Sequence, residues 1–172
     1  DKNLINAFIN NEDIHARTSS NLFNVPIQDV STDMRRTAKI VNFGVMYGAG
    51  PYRLSQELGI PMVESKKIIT SYFNRYSGIK DYIENTIDFA KKNKYVKTIL
   101  GRRRYCYDIS NKNQRIRSAV ERAAINMPIQ GTAAELIKIA MISIHKNIIS
   151  NNLKSKMILQ VHDELIFETP KE

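Results

Sequence analysis

The stretch from Ser31 to Pro51, STDMRRTAKIVNFGVMYGAGP, constrains the rest of this chain more than any other. Ser31 or Thr32 can cap free backbone N–H groups, and Asp33 sits in the first turn, where the helix dipole favours negative charge. Gly48, Gly50 and Pro51 supply a stop, so a helix over 32–48 is expected. On a wheel of about 100° per residue with Met34 at zero, Ala38, Val41 and Val45 fall within roughly 40° of it and form a core stripe. Arg35, Lys39, Phe43 and Tyr47 step by four and land at roughly 100°, 140°, 180° and 220°. The helix thus has a second ordered face, two cations followed by two rings. Cations one turn apart suit a run of phosphates, and rings one turn apart suit stacking on a base or sugar. The plainer alternative is a solvated basic face whose rings pack on a neighbour.

Charge points the same way. The 172 residues carry a net charge of +9, which favours a polyanionic partner. It is clustered: Lys94 to Arg122 holds nine Lys or Arg against Asp108 and Glu121. Cys106 is the single cysteine, which excludes an internal disulfide and a cysteine-based zinc site. No apolar run approaches the roughly 18 residues of a membrane span, and Asp1-Lys2-Asn3 is no signal peptide. The composition suits a soluble, intracellular protein with no membrane partner.

Taken in order, Asn3 to Ile9 reads as a helix already under way, which suggests a start inside a larger protein. Asp13 caps a second helix running to about Phe23, ended by Asn24-Val25-Pro26, with His15 on its first turn. Tyr52 to Leu58 forms a short helix closed by Gly59. Met62 to Tyr76 and Ile79 to Asn93 are longer helices hinged at Ser77-Gly78, and Ile68, Ile69, Tyr72 and Phe73 follow core spacing. Tyr95 to Leu100 alternates as a strand, and Gly101 turns it into Arg102-Arg103-Arg104-Tyr105. These arginines suit backbone phosphates or structural ion pairs. Gln114 to Ser150 is helical, with interruptions expected at Pro128 and Gly131. Arg122, Asn126 and Gln130 stand at four-residue steps around the proline; they suit minor-groove acceptors, or capping and repair of the kink. Met157 to Glu168 reads as an apolar hairpin with His162-Asp163-Glu164 at its tip. Ionisable groups on such a turn suit oxygen ligation of Mg²⁺, which takes one or two carboxylates and completes its shell with phosphate and water; a polar turn is the alternative.

Arg35-x3-Lys39-x3-Phe43-x3-Tyr47-Gly48 resembles the nucleotide-binding fingers helix of the DNA polymerase I family, family A. Asp13-Ile14-His15 is similar to that family's Asp-Ile-His, and Gly101-Arg102-Arg103 to a segment it keeps near DNA. Arg122 to Ala134, RAAINMPIQGTAA, resembles the helix that tracks the primer–template minor groove. Val161-His162-Asp163-Glu164 resembles the palm motif bearing one of two metal-binding aspartates. The motifs run end to end and in family order.

The resemblance implies an α+β fold, part of a right-hand polymerase: a mostly helical fingers subdomain over 1–110, then part of an antiparallel-sheet palm over 111–172. It implies a DNA-directed DNA polymerase that transfers nucleotides onto a primer 3′-hydroxyl. His15, Arg35 and Lys39 would hold the triphosphate, with Lys39 also aiding the leaving pyrophosphate. Phe43 would stack on the incoming base and sugar, and Tyr47 would sit beside the templating base with Gly48 leaving it room. Arg102, Arg103, Arg122, Asn126, Gln130 and His162 would touch DNA. Asp163 would ligate metal with Glu164 in support, two Mg²⁺ ions serving the complete enzyme. Primer–template DNA and deoxynucleoside triphosphates would be the partners of a monomer working in the cytoplasm at a bacterial nucleoid, or in an organelle of bacterial descent. The family's first palm motif falls before Asp1, so these residues alone are expected to bind nucleic acid weakly and not to polymerise. The runner-up is a non-catalytic basic module that binds duplex DNA by its phosphates and leaves His162-Asp163-Glu164 idle.

Overall fold

The computed structural model describes residues 1–171. Seven helices carry most of the chain: α1 Lys2–Ile9, α2 Ile14–Phe23, α3 Thr32–Met46, α4 Pro51–Leu58, α5 Met62–Arg75, α6 Ser77–Asn93 and α7 Gln114–Ser150. Two antiparallel hairpins complete an α+β architecture, β1 Tyr95–Lys97 with β2 Arg103–Tyr105, and β3 Lys156–Val161 with β4 Glu164–Glu168. Among the described residues, no helix is long and apolar enough to cross a membrane.

Local chemistry sets most boundaries. Asp13 Oδ1 accepts the N–H groups of His15 and Ala16 at 2.9 and 3.0 Å, and Asn24 closes α2 in the left-handed conformation. Ser31 Oγ accepts the Met34 N–H at 3.2 Å. Helix α3 ends at Met46, two residues short of the expected stop, because Tyr47 is already its C-cap and Gly48 leaves the helix at φ +78°. An added Cβ at Gly48 would lie 3.0 Å from Ile125 Cδ1, so the residue serves both the left-handed turn and the approach of α7.

The α3 stripe is realised: Ala38, Val41 and Val45 are fully buried and Met34 is half-buried. Val41 and Val45 join Leu54, Tyr72, Tyr76 and Ile79 in one core, with Ile68, Ile69 and Phe73 packed against it. Burying a side chain such as Leu54 contributes about 1.5–3 kcal/mol. The break between α5 and α6 falls at Tyr76, not at Ser77-Gly78, because the buried Tyr76 ring anchors the turn while Ser77 and Gly78 already belong to α6. A second core joins Ala90, Val96, Cys106, Ile109 and Ala124, so β1 and α6 pack onto the first half of α7.

Three further expectations are corrected. The strand from Tyr95 stops at Lys97, not Leu100, because Thr98 turns the chain: its hydroxyl accepts the Arg102 N–H at 3.0 Å and its carbonyl the Gly101 N–H at 3.0 Å. Helix α7 runs unbroken through Pro128 and Gly131 for 37 residues. Proline removes one helical hydrogen bond, but Ala124 and Ile125 before it and Thr132 after it are buried, and Thr132 Oγ1 also takes the Ile99 N–H at 3.1 Å. Tertiary packing outweighs the local defect. Finally, the second hairpin is not made of buried strands: Ile158, Leu159, Val161 and Ile166 are exposed, and Glu164 pairs with Val161 within the ladder, leaving His162-Asp163 as the turn.

Gly131 therefore has a packing role rather than a helix-stopping one. A Cβ there would meet Thr98 Cγ2 at 2.8 Å. Gly→Ala in a helix ordinarily stabilises by about 0.4–1 kcal/mol through the unfolded chain. Here overpacking costs about 1–3 kcal/mol and wins, so Gly131→Ala is expected to lower the melting temperature. A raised melting temperature would remove the β1–α7 contact from consideration.

Candidate functional site

The second face of α3 stands open. Arg35, Lys39 and Phe43 are exposed and Tyr47 is half-buried. The rings of Phe43 and Tyr47 lie parallel, with centroids 6.2 Å apart and planes 6° apart. Lys39 Nζ sits 5.9 Å from the Phe43 centroid. Beside them opens a cleft of about 510 Å³ whose lining includes Lys39, Phe43, Tyr47, Arg36 and Arg53. Arg36 and Arg53 were not marked by the four-residue steps; Arg53 is held by Glu57 at 2.8 Å. The face offers a cation, two parallel ring surfaces and space above them, a shape suited to a phosphorylated planar ligand.

Helix α2 supplies the flank. His15 meets Phe43 edge-on, centroids 5.5 Å apart, and its Nδ1 lies 2.8 Å from Asn42 Nδ2. Arg35 is not free: its Nε donates to Asp13 Oδ2 at 2.6 Å. That bond, with help from the helix N–H groups it caps, holds the Asp13 carboxyl below the usual range against the effect of partial burial. Burial pushes the His15 imidazole pKa down, and the positive charges of Arg35 and Lys39 reinforce this against the opposing pull of Asp13.

Helix α7 closes the other side. Gln130 Nε2 donates to the Tyr47 hydroxyl at 2.7 Å, joining the ring face to the long helix. Arg122 Cγ lies 3.5 Å from where a Cβ of Gly48 would be. Asn126 and Gln130 share a second cleft, of about 550 Å³, with Arg102, Arg103, Arg104 and Gly131. The arginines divide their work. Arg102 pairs with Glu135 at 3.2 Å and donates to the Gly131 carbonyl at 3.1 Å, and the Arg103 guanidinium lies 4.4 Å over the Tyr95 ring. Asn126 Oδ1 is buried with no hydrogen-bond partner. Neither Asn126 nor Gln130 repairs the helix at Pro128, since Gln130 Nε2 is spent on Tyr47 and Asn126 Oδ1 has no partner; Thr132 Oγ1 donates to the Pro128 carbonyl. A basic cleft lined with amides fits an anionic polymer with acceptors on its edge.

The hairpin holds the remaining candidates. His162 occupies the first turn position at φ +53°, with its carbonyl accepting from Gln160 Nε2 at 2.9 Å, and Asp163 is at the tip. Among the described residues, no ion pair or hydrogen bond engages the Asp163 or Glu164 carboxylate, and none ties the hairpin to α3 or to the basic cleft. Also among the described residues, no three His, Cys, Asp or Glu side chains gather as a metal-holding group. The structure thus joins His15, Lys39, Phe43, Tyr47, Gln130 and the arginine cleft into one continuous surface, and leaves Asp163 and Glu164 apart from it. Asn42 escaped notice in the sequence although it falls at about 80° on the α3 wheel, between the core stripe and the cations. An amide at that seam was the signal available.

Comparison with known proteins places the chain in a family. The model of DNA polymerase family A matches residues 1–172. The chain is 48% identical over 172 residues to DNA polymerase I of Caldicellulosiruptor bescii, and 48% identical to DNA polymerase I of Bacillus subtilis, covering all of this chain and 20% of either relative. The structure of the polymerase domain of Pol1 from M. smegmatis, solved with DNA primer–template and dNTP, superposes with a TM-score of 0.92 at 44% identity, over 96% of this chain and 29% of that one. A helical body with a cation-and-ring face, continuous with a basic cleft, is here a nucleic-acid polymerase fold. The chain belongs to DNA polymerase family A. It spans about a fifth of the length of the curated relatives it matches.

Proposed function

We propose that the protein to which these residues belong is a DNA-directed DNA polymerase, with residues 1–110 acting as fingers and 111–172 as part of the palm. The α3 face carries the reading: Lys39, Phe43 and Tyr47 present charge and stacking surface in the order in which a deoxynucleoside triphosphate presents phosphates, sugar and base. Lys39, His15 and Arg35 bind the phosphates, and Phe43 stacks on sugar and base. Tyr47 and Gly48 border the templating base. Arg122, Asn126 and Gln130, with Arg102 and Arg103 behind them, hold the duplex, and the unpartnered Asn126 Oδ1 is an acceptor for a donor on the minor-groove edge. The primer 3′-hydroxyl attacks the α-phosphorus and gives up its proton to solvent, the bond to the bridging oxygen breaks, and pyrophosphate leaves with Lys39 balancing its charge.

The donor set at the hairpin tip suits Mg²⁺: Asp163 offers unengaged carboxylate oxygens, and such an ion takes one or two carboxylates beside phosphate and water. Asp163 would hold the ion, Glu164 would support it and His162 would stand at the primer terminus. Bound Mg²⁺ supplies charge stabilisation at the reacting oxygens. Soluble work on DNA at a bacterial nucleoid fits this chemistry.

The test is a primer–template with a defined next base, offered each deoxynucleoside triphosphate singly to the full-length protein. Extension by the complementary nucleotide alone is the expected result. Duplex binding with no extension in any mixture would return the protein to the class of basic duplex-binding modules.

A further inference from the structure

We infer that Asn42 is a positioning residue that sets His15 as a neutral ring with its proton on Nε2, so that the α3 face meets phosphate with a fixed N–H donor rather than a titrating cation. The inference rests on the proposed role of that face in triphosphate binding.

The argument begins in the core. Tyr76, Thr18 and Asn42 are each almost fully buried. The Tyr76 hydroxyl lies 3.1 Å from Thr18 Oγ1, Thr18 Oγ1 lies 3.0 Å from Asn42 Oδ1, and Asn42 Nδ2 lies 2.8 Å from His15 Nδ1. Three bonds connect the α5–α6 junction, α2 and α3 in a line from the core to the exposed face. Its direction is fixed by counting protons. Among the described residues, the Tyr76 hydroxyl has Thr18 as its sole hydrogen-bond partner. Its proton must therefore go to Thr18, the Thr18 proton to Asn42 Oδ1, and an Asn42 N–H to His15 Nδ1. Turning the amide over would make Asn42 a donor to Thr18 and leave either the Thr18 or the Tyr76 hydroxyl proton without a partner in the core, a cost of about 1–3 kcal/mol for an unmade buried bond.

His15 Nδ1 is then an acceptor, and a neutral imidazole that accepts at Nδ1 carries its proton on Nε2. Charging the ring would set an Nδ1 proton against an Asn42 N–H. The charged groups bearing on the ring act in the same sense on balance, since Arg35 and Lys39 oppose a cation while Asp13 favours one. The ring's edge contact with Phe43 extends the relay to the stacking surface, so Asn42 orders both the donor and the ring next to it. Asn42 touches no substrate in this scheme.

The experiment reads the tautomer directly. Histidine nitrogens are isotopically labelled in the full-length protein, and the His15 signals are assigned by their loss in His15→Gln. At about pH 7.5 the expected spectrum shows Nδ1 bare and Nε2 protonated. In Asn42→Asp, a carboxylate of nearly equal shape accepts from Nδ1, so the proton moves to Nδ1 and the ring charges more easily. The KM for the incoming nucleotide, flat in wild type between about pH 6.5 and 8.5, is then expected to vary roughly tenfold across that range, as for gain or loss of one charge-assisted bond. Thr18→Val, which removes the middle hydroxyl and little volume, gives a mixture of tautomers. A wild-type spectrum with Nδ1 protonated overturns the inference whatever the variants do, and so does an unchanged tautomer in folded Asn42→Asp. If the tautomer is as expected but His15→Gln leaves the KM unaltered, the relay stands and the triphosphate role of His15 falls.

Discussion

Asp163→Asn is expected to reduce primer extension by the full-length protein about a thousandfold while primer–template binding stays within a few-fold of wild type. The hairpin explains the separation. Asp163 sits in a two-residue turn whose strands hold each other in register from Lys156↔Glu168 to Val161↔Glu164. Among the described residues its carboxylate has no ion-pair or hydrogen-bond partner, so an amide of the same shape breaks no bond in the fold. What it removes is the formal charge that, in the proposed reading, would hold a divalent ion. Losing roughly 4 kcal/mol of transition-state stabilisation corresponds to the thousandfold loss. In the proposed reading the duplex is held by the arginine cleft and Arg122, which the substitution leaves alone. Single-turnover extension beside an equilibrium DNA-binding curve measures both quantities. Equal extension by mutant and wild type would detach the hairpin from the reaction.

Periodicity makes α3 legible. Ala38, Val41 and Val45 are buried and Arg35, Lys39 and Phe43 exposed because a hundred-degree step alone sorts them. The caps at Asp13 and Ser31 are legible for an equally local reason, a short oxygen two or three residues from free N–H groups. Pro128 is the counterexample. Its local penalty is real, yet Thr132 ties α7 to Ile99 of the β1–β2 turn, 33 positions earlier in the chain, and the helix continues through the proline. Gly131 misleads similarly: in sequence a breaker, in space the place where Thr98 needs room.

The site divides along the same line. Rings and cations on one helix can be read from their spacing, but the partners that tune them come from other helices. Nothing in the sequence places Asp13 on Arg35, or Thr18 and Tyr76 behind Asn42, because those contacts follow from how α2 packs on α3 and α5. Arg102 illustrates the cost: three adjacent arginines look equivalent until Glu135, a turn beyond Gly131, takes one of them. The hairpin sequence likewise suggests buried strands, since seven apolar residues flank its turn, whereas four of them, Ile158, Leu159, Val161 and Ile166, are exposed.

These partners separate two cations that look alike in sequence. Arg35 spends its guanidinium on Asp13 at 2.6 Å, whereas among the described residues Lys39 has no carboxylate partner and lies over the Phe43 ring, 5.9 Å from its centroid. An exposed ion pair contributes about 0–1 kcal/mol, so phosphate can displace Asp13 from Arg35, but the exchange returns little beyond ground-state affinity. Arg35→Ala is accordingly a KM variant, made worse by the carboxylate it exposes. Lys39 can stay loosely placed until negative charge gathers on the leaving pyrophosphate, and an interaction strongest at that moment lowers the barrier. Removing one such donor from a preorganised site costs about 10²–10³ in rate. Lys39→Ala is therefore expected to lower kcat by that factor with a smaller change in KM, and Lys39→Arg, which keeps charge but not shape, to recover part of it. Part of the loss has another source: without the ammonium, Phe43 gives up a cation–π contact of about 0.5–1 kcal/mol, and its looser ring should raise KM a few-fold. Measuring kcat and KM separately for both lysine variants distinguishes the contributions, since stacking acts on KM and charge on the leaving group acts on kcat. A Lys39→Ala enzyme with unchanged kcat and a raised KM would make Lys39 a passive phosphate ligand like Arg35.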